Sequence, residues 1–160
     1  MKTNQLLALL ACLPLLNGCR EKENSRAEPP DRAPQKHSHA HTPPHGGTAV
    51  VLGEEEYHLE FVLDAAAGQL RAWVLDGHME KFIRVTNESF AVQADGRAEP
   101  LMFRAEVSNA TGEKLGDTSA FAAQAEWLRD TTNFNAVIPT LPLRSKSYRD
   151  VKFNFPRGNE

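Results

Sequence analysis

The residues in this chain whose type and spacing could do chemistry are its six histidines, and all of them lie between positions 37 and 78: His37, His39, His41, His45, His58 and His78. In His37-Ser38-His39-Ala40-His41 an imidazole recurs at every second residue. In an extended chain such side chains project to one side, about 6.5 to 7 Å apart. A flexible chain closes that gap around one ion, and neutral imidazole suits Zn²⁺, Cu²⁺ and Ni²⁺. The same tract also reads as hydrophilic filler in a solvated linker, and its spacing does not separate the two. His45 stands before Gly46-Gly47, while His58 and His78 continue the series beside Glu55, Glu56, Glu60, Asp76, Met79 and Glu80.

Other chemistry lacks its residues. There is no HExxH, no phosphate-cradling glycine loop and no nucleophile elbow. The carboxylates occur as on any exposed strand and suggest no general acid and base, so the expectation is a protein that is not an enzyme. Met79 and Met102 could offer thioethers to Cu(I) but read more simply as core filler, as do Trp73 and Trp127. With 18 Lys+Arg against 21 Asp+Glu, a net charge of -3 speaks against nucleic acid as a partner.

Positioning starts at the N-terminus. Met1-Lys2 precedes an apolar run from Leu6 to Leu16, too short for the roughly 20 residues of a spanning helix but suited to a signal peptide. Leu16-Asn17-Gly18-Cys19 resembles the bacterial lipoprotein cleavage box. That resemblance implies removal of residues 1–18, acyl chains on Cys19 and attachment to a membrane in the cell envelope, periplasm-facing. Arg20 stands where an aspartate would mark inner-membrane retention, so the outer membrane is expected. The other cysteine, Cys12, leaves with the signal, which removes thiol catalysis and any disulfide framework. Residues 19–44 are charged and carry Pro29, Pro30, Pro34, Pro43 and Pro44, the composition of a disordered tether.

Residues 45–160 read as an all-β domain. Tyr57, Leu59, Phe61 and Leu63 alternate with Glu56, His58 and Glu60, a half-buried strand with its acids and His58 toward solvent. Ala65 to Gly68 turn this strand into Leu70–Leu75, which Asp76-Gly77 ends. Phe82–Val85, Phe90–Ala94, Leu101–Val107 and the alternating Val151, Phe153 and Phe155 extend the pattern, with Pro156 as a stop. Residues 119–128 fit either a helix or a strand, and the reading adopted is a strand running into a short turn. Seven to nine short strands point to an antiparallel two-sheet sandwich of immunoglobulin-like type.

If Leu63 faces Leu70, paired residue numbers sum to 133 and His58 faces Leu75. If residues 48–52 pair with 56–60 through Gly53-Glu54-Glu55, His45 falls at the far end of that strand, and one site built from His45, His58 and His78 is excluded.

The stretch from His45-Gly46-Gly47 through Tyr57–Asp64 to Trp73–His78 resembles small bacterial envelope lipoproteins of uncharacterised role, and is similar to the β-domain of heavy-metal efflux periplasmic adaptors. The resemblance implies transition-metal handling through His45, His58 and His78, with a metal-efflux or other envelope protein as partner. The function expected is therefore a lipid-anchored module that binds or buffers Zn, Cu or Ni. A structural or protein-interaction lipoprotein is the alternative.

Overall fold

The computed structural model describes residues 42–159. Cys19, His37, His39 and His41, and with them the expected signal peptide and most of the expected tether, lie outside the described residues. Eight strands follow in chain order: β1 Thr48–Leu52, β2 Tyr57–Asp64, β3 Gln69–Asp76, β4 Ser89–Ala94, β5 Leu101–Ala105, β6 Ala120–Gln124, β7 Phe134–Leu143 and β8 Lys146–Phe155, with a 3-10 helix Glu126–Arg129 after β6.

All eight belong to one sheet in the order β1-β2-β3-β6-β5-β4-β7-β8, and every neighbouring pair is antiparallel. The expected all-β antiparallel character holds, but the two-sheet sandwich is corrected to a single sheet that curls almost into a barrel. The reason lies inside. Phe61 on β2 stacks on Phe153 of β8 at 4.9 Å and meets Phe103 of β5 edge-on at 5.5 Å. Phe103 in turn stacks on Phe90 of β4 at 4.9 Å. One chain of rings thus joins strands that are distant in the sheet order, and curling the sheet is what buries them.

The ends of the sheet meet without a ladder between them. Val51 of β1 donates its N–H to Asn159 Oδ1 at 2.8 Å, and the Asn159 amide donates back to the Val51 carbonyl at 3.1 Å. A side-chain amide here satisfies backbone groups that an unpaired edge would leave open. Gly158 lies so close to β1 that a Cβ would come 2.2 Å from the Ala49 carbonyl oxygen.

Glu56 supports the same seam. It accepts hydrogen bonds from Lys146 and, at 2.6 Å, from the Tyr148 hydroxyl, both on β8. The Lys146 bond and then the Tyr148 bond hold the Glu56 carboxyl below its ordinary value of 4.5. Burial, followed by the bond to Glu56, holds the Tyr148 hydroxyl well above its own. A carboxyl whose value is lowered by folding contributes stability above its unfolded value and loses it as pH falls through the folded one. Glu56→Gln should therefore be less stable than the parent near neutrality, with the gap closing below about pH 4.5. Denaturant titrations of both proteins from pH 7 to pH 3 check this, and a gap that stays constant with pH would contradict it.

Several expectations change in detail. β2 and β3 pair as Leu63 with Leu70 and His58 with Leu75, the register sum of 133. β1 instead pairs Thr48 with Phe61 and Leu52 with Tyr57, one residue beyond the expected register. The turn is longer because Gly53 and Glu55 both take positive φ, 67° and 59°. Phe82–Val85 is not a strand. It makes only isolated bridges, Leu75 with Phe82 and Val85 with Thr118, because this segment runs antiparallel beside the end of β3 for one bridge and then passes on to Thr118. Residues 120–124 form a strand that runs into the 3-10 helix, as expected.

Candidate metal-binding site

β2 is buried on both faces: Leu59 and Phe61 point to the core, yet His58 and Glu60 on the opposite face are each 0% exposed. The expected half-buried strand is corrected here, because two stretches of chain fold over its outer side. The first is residues 43–47. Gly46 donates its N–H to the Pro43 carbonyl at 3.0 Å, closing a turn in which Gly46 has φ +68°, a value that favours glycine. Gly47 then lies directly on β2, where a Cβ would sit 2.5 Å from the Phe61 carbonyl oxygen and 2.7 Å from Val62 Cγ2.

That close approach delivers donors to Glu60. Its Oε1 accepts the His45 N–H at 2.7 Å and the Gly47 N–H at 2.9 Å. Its Oε2 lies 2.8 Å from His45 Nδ1. A carboxylate withdrawn from water must recover its lost solvation from donors, and here all three come from the covering segment. The His45 ring stacks on Trp73 of β3, centroids 4.0 Å apart and planes 25° apart, and Phe82 is tilted against it at 5.5 Å. The His45 side chain is still 39% exposed. Trp73 is therefore not core. It faces outward between the inward Ala72 and Val74, and serves as the bed for His45.

The second cover is the turn after β3. Asp76 Oδ1 accepts the backbone N–H groups of Glu80 at 2.9 Å and Lys81 at 3.1 Å, and Asp76 N–H donates to the Lys81 carbonyl at 3.0 Å. Burial pushes the Asp76 carboxyl up, but the bonds from Lys81 and Glu80 outweigh it and the net direction is down. This staple folds residues 77–81 back, buries Met79 and places Phe82 opposite Leu75. Met79 is buried, as expected of filler, though apart from the main core cluster, whereas Met102 is 42% exposed and is not the core filler expected.

Of the histidines inside the described residues, His45 is held on the sheet as above. His58 is sealed between β1 and β3, with Nδ1 3.3 Å from the Asp76 carbonyl oxygen. His78 is exposed in the stapled turn. Among the described residues no three His, Cys, Asp or Glu side chains gather as a group that could hold a metal ion. The fold thus offers His45 as a single oriented imidazole, beside Glu60 and Trp73, two residues that the alternating pattern assigned to solvent and to core. The signal for Glu60 was the glycine pair after His45, since two glycines there permit the backbone to lie on a strand.

Compared with protein-family models, with curated proteins and with solved structures, the chain matches none.

Proposed function

We propose that the chain is an envelope lipoprotein, anchored through Cys19 at the outer membrane, that captures and buffers a divalent transition metal and supplies it to an efflux system. In this reading it performs no catalysis. His45 is the ligand that the fold holds in place, and His37, His39 and His41, which precede it by eight, six and four residues, supply the further imidazoles. Zn²⁺, Cu²⁺ and Ni²⁺ suit this all-nitrogen set.

One observation carries the reading: the contact between His45 Nδ1 and the buried carboxylate of Glu60 at 2.8 Å. Metal-binding histidines characteristically give their second ring nitrogen to a carboxylate or carbonyl, which fixes the tautomer and raises the basicity of the ligating nitrogen. Glu60 occupies Nδ1, so Nε2 of a half-exposed ring is left for a cation.

Calorimetric titration of the lipid-free form, residues 20–160, with Zn²⁺, Cu²⁺ and Ni²⁺ tests it. A site tighter than about 1 mM, worth more than about 4 kcal/mol, is expected for at least one ion. Substituting alanine for His37, His39 and His41, or for His45, should weaken that site. The absence of any such site, or indifference to both sets of substitutions, overturns the proposal.

A further inference from the structure

We infer that Glu60 is a positioning residue that dictates which nitrogen of His45 can bind a cation, and that it couples occupancy of that nitrogen to the seating of residues 45–47 on the sheet. This rests on the metal-binding reading above and adds a regulatory link to it.

The argument starts from donor and acceptor counting. Oε1 of Glu60 is committed to two backbone N–H groups, those of His45 and Gly47, which can only donate. Oε2 faces His45 Nδ1, and a carboxylate oxygen there accepts, so the ring proton sits on Nδ1. The lone pair is thereby placed on Nε2. A cation bound at Nε2 draws electron density from the ring and makes Nδ1–H a stronger donor to Glu60. The same carboxylate holds the backbone of the segment that carries His45, so a firmer ring contact is also a firmer hold on residues 45–47. Coupling of this kind is reciprocal: seating the segment must raise affinity at Nε2 by the factor by which the cation favours seating.

Glutamine at position 60 has nearly the same shape and reverses the logic. Its one acceptor must face the two backbone N–H groups, because turning the amide the other way would set donors against donors. Its NH₂ then faces Nδ1, which must accept, and the ring proton moves to Nε2. The ring keeps its place on Trp73 and loses its lone pair toward a cation.

Trp73, stacked on His45, reports the event directly. The chain has two tryptophans, and Trp127→Phe leaves Trp73 as the sole tryptophan, excited selectively over the two tyrosines at the red edge of absorption. In full-length protein carrying that change, CuCl₂ should quench Trp73, and Glu60→Gln or His45→Ala should raise the copper concentration required by about tenfold or more. A fold check accompanies each variant, since loss of folding would mimic loss of quenching. As a measurement free of mutation, saturating ZnCl₂ should slow amide hydrogen exchange at His45 and Gly47 severalfold. If the parent takes up copper and Glu60→Gln is quenched at the same concentration, the role of Glu60 is overturned and metal binding stands. Unchanged exchange at both amides under ZnCl₂ overturns the coupling. If the parent takes up no metal at all, the functional reading fails and this inference with it.

Discussion

Replacing Phe61 with alanine should lower the unfolding free energy by about 3 to 5 kcal/mol, the range for deleting a buried aromatic ring. Phe61 is fully buried, stacked on Phe153 and edge-on to Phe103, so its loss opens a cavity between strands on different sides of the curled sheet. Such a cavity collapses poorly, because each wall is held by its own ladder and cannot move inward alone. Domains of this size are stable by about 5 to 15 kcal/mol, so the variant should retain the fold with a much reduced margin. Urea titration followed by near-ultraviolet dichroism measures it. A cost below about 1 kcal/mol would mean that the rings do not tie the sheet together.

Gly47→Ala is the second large effect, and it acts on the candidate site. The added methyl would lie 2.5 Å from the Phe61 carbonyl oxygen, 2.7 Å from Val62 Cγ2 and 2.9 Å from Glu60 Cγ. Backbone on a central strand cannot yield, so the covering segment must lift. Lifting separates Glu60 from His45 N–H, Gly47 N–H and His45 Nδ1 together, and three hydrogen bonds to a carboxylate at about 1 kcal/mol or more each amount to a loss of about 3 kcal/mol. Water reaching Glu60 offsets part of this. Two readouts should move together: a lower unfolding free energy and a red shift of Trp73 emission as His45 leaves its ring. Gly46→Ala is the contrasting variant. A Cβ there meets nothing within 4 Å, so its cost is the backbone strain of φ +68° and not a collision. If Gly47→Ala leaves both readouts at their parental values, the segment does not lie on β2 as described.

How far these features were legible in the sequence depends on whether they are local. The alternation in residues 57–63 and 70–75 and the short turn between them set the β2–β3 register to the residue, because a slip of one would turn Leu59 and Phe61 away from the core. β7 was not singled out, since Pro139 and Pro142 interrupt its pattern. They are tolerated because β7 pairs with β4 only at Ala136 and Val137, and beyond those residues its one neighbour is β8. Curling against sandwiching was not readable either, because both place the same residues inward. The difference rests on contacts such as Phe61 with Phe153, 92 positions apart. Glu60 shows the limit most clearly. Period-two reasoning assigns it to water, and only the segment carrying His45, 15 residues upstream, removes it from there.

The bond between Asn159 and Val51 spans 108 positions and joins nearly the first strand residues to nearly the last described ones. During synthesis, then, the edge of β1 stays open until position 159 has been made, and every shorter nascent chain exposes a ladder that any extended polypeptide could join. Closing the sheet is a late event in time as well as in sequence, and the contacts that complete it are those slowest to form by diffusion of the chain. A chain with this topology gains from being kept unfolded until position 159 has been made, because until then its open edge invites pairing with other chains.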